Sequence, residues 1–175
     1  MGNCYSFIIN TKLKHELKNL DDTVDFFDLK DQIFDAKVVD VYDGDTCSIV
    51  IRLSNSWTKF KLRTKGYDTP EIKPPKDAKN REKLIDMAIK SRNYFVSRVT
   101  DCNLEINKHY SKKELKNIVK NNKKIIKVKS HGWDKYGRLL GEIFIGSVNI
   151  NDEMISKNYG YAYDGGTKEQ FEVKI

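Results

Sequence analysis

Apolar and polar residues alternate in several short segments of the chain, which is the pattern of strands that bury one face. In chain order these segments are Ala36–Tyr42, Thr46–Leu53, Trp57–Arg63, Leu104–Ile106, Lys124–Lys129 and Leu139–Ile145. The dipeptide Asp43-Gly44 separates the first two segments and is typical of a tight hairpin turn. The alternation therefore predicts a sheet built largely from hairpins.

Other segments carry apolar residues at the spacing of one helix face. Arg81–Val99 predicts a long helix, while Lys112–Asn121 and Asn149–Asn158 predict two shorter ones. Thr11–Leu29 has leucines at the same spacing, and it predicts either a helix or a loosely attached arm.

The order β-β-β-α-β-β-α determines the fold class that we expect. Strands joined by hairpin turns disfavour a doubly wound parallel sheet and favour a small closed barrel. We therefore predict an α+β fold, a five-stranded OB-type β-barrel with packed helices. Residues 1–33 are expected to form an N-terminal arm, and residues 34–175 a single domain.

Composition and charge narrow the function classes. The chain has 175 residues, of which 39% are hydrophobic and 33% charged, too polar for a membrane bundle and too apolar for a disordered chain. The formal net charge of +7 favours a polyanionic partner. The densest basic run, Lys108–Lys129, is either a solvated surface or one that follows a phosphate backbone.

Three short motifs carry the residues that could perform chemistry. They are Asp43-Gly44-Asp45-Thr46, then Arg63-Thr64-Lys65-Gly66-Tyr67-Asp68-Thr69-Pro70-Glu71, and then Asp134-Lys135-Tyr136-Gly137-Arg138. Each motif alone is explained by a turn or a loop. Together they supply carboxylates for a hard cation and guanidiniums for a phosphate.

In this order and spacing the motifs resemble the staphylococcal nuclease family, and the resemblance covers roughly Phe34 to Tyr163. It implies a five-stranded barrel with helices and a Ca²⁺ cofactor. It also implies hydrolysis of phosphodiester bonds in DNA and RNA that leaves 3′-phosphates. The expected substrate is single-stranded or frayed, and the expected state is a monomer.

The resemblance gives each matching residue a role. Asp45 and Asp68 would bind the metal with their carboxylates, and Thr69 with its backbone carbonyl. Glu71 would orient or deprotonate the attacking water. The resemblance assigns the remaining matches to the substrate: Arg63 and Arg138 as phosphate clamps, Lys135 and Tyr136 beside the terminal phosphate, and Tyr163 as a base-stacking residue.

Arginine at both clamp positions is informative because lysine dominates the basic residues of this chain. A guanidinium binds phosphate oxygens in a bidentate manner, which an ammonium group cannot do. The alternative function is a catalytically inactive nuclease-like module that binds nucleic acid or protein. Such a module is expected to have lost at least one of Asp45, Asp68 and Glu71, and all three are present.

The first six residues, Met1-Gly2-Asn3-Cys4-Tyr5-Ser6, fit the pattern for N-myristoylation of Gly2, with Cys4 placed for palmitoylation. Some plant calcium-dependent nucleases that resemble this family carry a similar acylated start. We expect membrane contact at the cytoplasmic face through these groups, and a cytoplasmic protein without them. The apolar stretch Phe7-Ile8-Ile9 is too short for the core of a secretory signal.

Overall fold

The computed structural model describes residues 12–166, so the predictions for Gly2 and Cys4 lie outside the described residues. The strands are β1 (Ile33–Val41), β2 (Thr46–Leu53), β3 (Ser56–Thr64), β4 (Gly66–Asp68), β5 (Ile126–Trp133), β6 (Leu139–Ile145), β7 (Val148–Asn149) and β8 (Tyr161–Tyr163). The helices are α1 (Arg81–Val99), α2 (Lys112–Lys120) and α3 (Ile150–Ser156). Residues 12–17 are also helical.

Five of the strands close into a barrel in the order β3-β2-β1-β5-β6. Neighbours within this order are antiparallel. The barrel closes through a parallel pairing of β3 with β6, in which Leu62 lies opposite Leu139 and Arg63 opposite Leu140. The predicted fold class, a five-stranded barrel with additional helices, is thereby confirmed.

Side chains that alternate along the strands fill the barrel. The fully enclosed strand residues include Val38, Ile49, Ile51, Leu62, Val128, Leu139 and Ile143. Helix α1 adds Phe95, Val96 and Val99 to the same core. Burial of each of these side chains contributes about 1.5–3 kcal/mol to the free energy of folding relative to an exposed one. The strands and helix α1 therefore stabilise one another through a shared core.

The turn between β1 and β2 lies directly against α1. The Tyr42 N–H donates to the Thr46 carbonyl at 2.9 Å, which closes the turn. A Cβ on Gly44 would lie 2.8 Å from Thr69 Cγ2 and 2.9 Å from Ser91 Cβ. Glycine is therefore required here for close approach, and it brings the turn between the helix and the β4 loop.

The predicted strand Leu104–Ile106 is wrong, because this segment is loop and turn. The buried Asn93 on α1 donates its side-chain N–H groups to the carbonyls of Glu105, Ile106 and Lys108, at 2.7 to 3.1 Å. A side chain thus takes the backbone acceptors that a neighbouring strand would otherwise use.

The predicted Thr11–Leu29 helix is also shorter than expected. Among the described residues of this stretch, helix is confined to residues 12–17, and Leu13 and Leu17 are exposed. Leu29, at the other end, is buried in the core. The structure also contains a small two-stranded sheet of β4 and β8, which no pattern in the sequence predicts. Within residues 12–166 no helix is both long and apolar enough to cross a membrane.

Candidate active site

Asp45 ends the β1–β2 turn with its carboxylate buried and fully hydrogen-bonded. One carboxylate oxygen accepts from the Thr69 backbone N–H at 3.0 Å and from its hydroxyl at 2.9 Å. The other oxygen accepts from the Thr46 hydroxyl at 2.8 Å. The turn and the loop after β4 are therefore locked together around one carboxylate.

Arg63 joins the first two motifs. It lies on β3 opposite Thr46, and it is only 8% exposed. Its guanidinium contacts Asp45 Oδ1 through Nη1 and donates to Asp68 Oδ1 through Nη2 at 2.5 Å. A buried guanidinium between two buried carboxylates offsets much of the cost of removing those charges from water.

Asp68 is held from the other side by Tyr161, a residue that the sequence analysis did not identify. The pairing of β4 with β8 places them opposite each other, and the Tyr161 hydroxyl donates to Asp68 Oδ2 at 2.6 Å. Burial and this hydrogen bond to a carboxylate raise the pKa of Tyr161. Tyr163, the tyrosine chosen from the sequence, lies two residues further along and donates to the Gly166 carbonyl at 2.7 Å.

Asp43 is a further buried carboxyl at this site that sequence reasoning left unassigned. It is 7% exposed, and its carboxylate accepts from the Asp45 N–H at 3.2 Å. Burial raises the pKa of Asp43 to about 6, Arg63 lowers it in part, and the negative charge of Glu71 raises it further. The signal in the sequence is an acid on each side of Gly44, of which the family resemblance gives a role only to Asp45.

Glu71 lies on the exposed side of this cluster, directly after the buried Pro70. Its charge acts on Asp43, so the loop after β4 brings it to the same region. An exposed carboxylate beside a buried acidic cluster is accessible to water and to a substrate.

Arg138 belongs to a second group of residues in the turn before β6. Its Nε donates to Asp134 Oδ2 at 2.6 Å, and Asp134 Oδ1 accepts from the N–H groups of Tyr136 and Arg138, both at 2.8 Å. Partial burial raises the pKa of Asp134, but these hydrogen bonds outweigh it and hold the pKa below its ordinary value. The Tyr136 ring lies 5.2 Å from Lys135 Nζ and 5.5 Å from the Arg138 guanidinium carbon.

An open groove of about 420 Å³ separates this turn from β3. It is lined by Lys59, Phe60, Lys61, Tyr136, Gly137 and Arg138. The structure thus gathers the predicted residues into two groups. In the first group Arg63 contacts Asp45 and Asp68, and Thr69 binds Asp45. In the second group Lys135 and Arg138 both lie near the Tyr136 ring. Strand β3 runs from the first group to the groove beside the second.

The first group contains the donor types that a hard divalent cation prefers. The carboxylates of Asp45, Asp68 and the nearby Asp43 supply the oxygen ligands that such ions prefer. Both Asp45 and Asp68 are engaged by Arg63, however. Within the described part of the chain, no three acidic, histidine or cysteine side chains are arranged as a ligand set.

Comparison with known proteins decides the family. The sequence model described as "staphylococcal nuclease homologue" matches residues 61–173, which include the second and third motifs. The chain belongs to this family. Members of the staphylococcal nuclease family are generally nucleases. An uncharacterized protein of Methanocaldococcus jannaschii is 32% identical over 156 residues, covering 85% of this chain and 67% of the relative.

The first motif precedes the region that the staphylococcal nuclease model matches. The structure nevertheless brings it to the second motif, because Arg63 contacts Asp45 and Thr69 donates two hydrogen bonds to it. The first and second motifs therefore lie together in the folded chain.

Proposed function

We propose that the protein is a Ca²⁺-dependent nuclease that hydrolyses phosphodiester bonds of DNA and RNA and leaves 3′-phosphates. The observation that carries the proposal is the Arg63 guanidinium between the buried carboxylates of Asp45 and Asp68. Two motifs that are separate in sequence supply the two acids. A buried charge cluster of this kind is costly for stability alone, so it favours a catalytic use.

Phosphodiester hydrolysis develops negative charge on the phosphate oxygens while a water oxygen attacks. When bound, Ca²⁺ would be held by Asp45, Asp68 and the Thr69 carbonyl, and it would neutralise charge on the phosphate. Glu71, exposed beside the acids, would take the proton of the attacking water onto a carboxylate oxygen. Arg63 and Arg138 would bind the phosphate oxygens through paired N–H groups.

Both arginines are already engaged in the structure. Arg63 is held by Asp45 and Asp68, and Arg138 is held by Asp134. A phosphate must therefore compete with carboxylates for these N–H groups. We expect a weak site for free phosphate and a stronger one for a polynucleotide, whose remaining residues add contacts.

The test is digestion of labelled single-stranded DNA, RNA and duplex DNA with Ca²⁺, with Mg²⁺ and with excess chelator. Cleavage is expected with Ca²⁺ and not with chelator, and it should be faster on single-stranded than on duplex substrate. Treatment of the products with a 3′-phosphatase should shift their mobility. Cleavage that continues unchanged in chelator would contradict the calcium mechanism.

Glu71→Gln is the matched variant, because it keeps the shape of the side chain and removes the base. Its rate should fall by about 10²–10⁴ while binding of single-stranded DNA is retained. Binding without cleavage by the wild-type protein in every metal would instead favour the inactive nucleic-acid binding module.

A further inference from the structure

The outer face of β3 carries a row of cationic and aromatic side chains, and the proposed chemistry uses only the first of them, Arg63. Leu62 is buried in the barrel, and Phe60 packs against Trp133 with ring centroids 5.7 Å apart. The alternating residues point to the other face of the strand. In order away from the acidic cluster they are Arg63, Lys61, Lys59 and Trp57.

The spacing of this row suits a polynucleotide backbone. Alternate residues of a strand lie about 6.7 Å apart, at about 3.3–3.4 Å per residue. This is comparable to the distance between successive phosphates of an extended single strand. Cations at Lys61 and Lys59 would thus meet the two phosphates that follow the one bound at Arg63.

Unlike Arg63, the two lysines of the row have no acidic partner among the described residues. Lys59 lies opposite Val50 on β2, and Lys61 lies opposite Ser48. Both lysines are exposed, and neither forms an ion pair among the described residues. The charge of both ammonium groups remains available to an anion.

Only Leu62, Arg63 and Thr64 of β3 pair with β6, so the earlier residues of the strand leave this edge without β6 as a partner. Lysines on such an edge also protect it from pairing with another chain. Edge protection explains the lysines but not the aromatic residue beyond them. Trp57 is 75% exposed, and the Arg52 guanidinium carbon lies 5.8 Å from its ring centroid. An exposed aromatic ring beside a cation is the kind of platform on which bases of single strands stack.

The groove described above gives the row a second wall. Lys59 and Lys61 line one side, and Arg138 and the 72% exposed Tyr136 line the other. Cations on both sides and an exposed ring suit one nucleic-acid strand better than a duplex, which buries its base faces in the stack.

We propose that the outer face of β3 and the facing turn at residues 136–138 form a binding track for single-stranded nucleic acid. In this track Lys61 and Lys59 bind successive phosphates and Trp57 stacks a base. The proposal rests on the proposed function, since Arg63 at the end of the track is where the bond to be cleaved would lie.

Helix α2 offers a matched comparison surface. Lys113, Lys116 and Lys120 are exposed on its solvent side, opposite the buried Leu115 and Val119. They present the same kind of charge on a helix that carries no aromatic side chain. A polyanion that merely follows net charge would use α2 as readily as β3.

The experiment measures binding of a labelled single-stranded DNA oligonucleotide by fluorescence anisotropy in chelator, over a series of salt concentrations. The double variant Lys59→Glu/Lys61→Glu should bind about tenfold more weakly or worse at low salt. Its slope of log affinity against log salt should be shallower by about 1.4, since two phosphate contacts are lost. Trp57→Ala should bind at least about fivefold more weakly than the wild type, with an unchanged slope of log affinity against log salt.

The control Lys113→Glu/Lys116→Glu changes the net charge equally and should bind nearly as the wild type does. Equal losses in both double variants, or a loss in the control alone, would overturn the track. Wild-type binding by Lys59→Glu/Lys61→Glu would overturn it as well. If that variant unfolds, Lys59→Gln/Lys61→Gln replaces it, with half or more of the slope change still expected.

Binding in chelator is independent of hydrolysis, so the two proposals fail separately. A wild-type protein that never cleaves contradicts the nuclease proposal, whereas the comparison of β3 with α2 still decides the track.

Discussion

At the scale of single residues, Asp43 links the chemistry of the site to its stability. Its pKa rises from the ordinary 3.8 to about 6 on folding, mainly because the carboxyl is buried. Between these values the folded protein keeps the proton that the unfolded chain has lost. Wild-type stability therefore falls as the pH rises from about 4 to about 6, and the penalty remains at pH 7.

We predict that Asp43→Asn raises the free energy of unfolding at pH 7 in chelator by about 1–3 kcal/mol. The amide oxygen can still accept the Asp45 N–H, while the buried charge is gone. The advantage should be much smaller near pH 4, where wild-type Asp43 is protonated in the folded state and partly protonated in the unfolded chain. Urea unfolding at the two pH values measures this, and an advantage that is equal at both would refute the argument.

Arg138→Lys keeps the positive charge and removes the guanidinium fork. A lysine cannot reproduce both the bond from Nε to Asp134 and a bidentate contact to phosphate. We predict that kcat with Ca²⁺ and single-stranded DNA falls by about 10²–10³, the cost of losing one oriented donor. Circular dichroism must show a folded barrel, because Arg138 also closes a turn. A near wild-type rate would remove Arg138 from the catalytic set.

The sequence analysis named the residues that contact Arg63, but not the tyrosine that holds Asp68 from the other side. The family resemblance grouped Asp45, Arg63 and Asp68, and their side chains come into contact because their strands are adjacent in the chain. Tyr161 could not be chosen over Tyr163 from spacing alone, since the choice depends on the register of β4 against β8. That sheet has only three residues in each strand, too few for a periodic pattern to show.

At the scale of elements, the segment between α1 and β5, here called the insertion, is tied to the barrel by the buried amide of Asn122. Asn122, which follows α2 and is fully buried, donates to the Val38 carbonyl on β1 at 3.1 Å. Its side-chain oxygen accepts from the N–H groups of Asp101 and Lys124, at 3.1 and 2.9 Å. One side chain therefore fixes both ends of the insertion against the sheet.

Asn122→Ala should leave a buried carbonyl without this donor, at a cost of about 2–3 kcal/mol in the free energy of unfolding. Asn117→Ala is the control, because Asn117 is exposed on α2 and alanine is a better helix former. Chemical denaturation of both variants measures the difference. Similar small effects in the two would show that the amide network contributes little.

The elements that were predicted well have long, regular patterns, and those that were missed depend on distant partners. The boundaries of α1, β2 and β6 match the prediction, since burial repeats over several turns or pairs. The segment Leu104–Ile106 alternates equally well, but Asn93 binds its carbonyls. A hydrogen bond from a buried amide twelve residues away cannot be predicted from the local alternation of apolar and polar residues.

At the scale of the whole molecule, β3 organises the candidate function. Its inward face supplies Leu62 to the core, and its outward face leads from Arg63 to Trp57. The parallel closure onto β6 brings the turn with Arg138 beside it. One strand thus connects the acidic cluster with the groove, which is why barrel closure matters for the proposed substrate contacts.

The described part of the N-terminal arm leaves apolar side chains outside the barrel. Leu13, Leu17, Leu20 and Val24 are 55 to 67% exposed. Lys12, Lys14 and Lys18 lie among them. Acidic residues of the same arm offset the charge of these lysines, namely Glu16, Asp21, Asp22 and Asp25. Exposed apolar side chains suit a membrane surface once another group holds the chain there.

We propose that Gly2 and Cys4 supply that attachment, in a chain whose translation begins at Met1. A single myristoyl group binds membranes only marginally, at about 10⁴ M⁻¹, so a second acyl group on Cys4 is needed. In fractionated eukaryotic cells the wild type should sediment with membranes, Gly2→Ala should be soluble, and Cys4→Ser should divide between the fractions. Hydroxylamine, which cleaves thioesters, should release the wild type. Equal soluble fractions of wild type and Gly2→Ala would exclude the anchor.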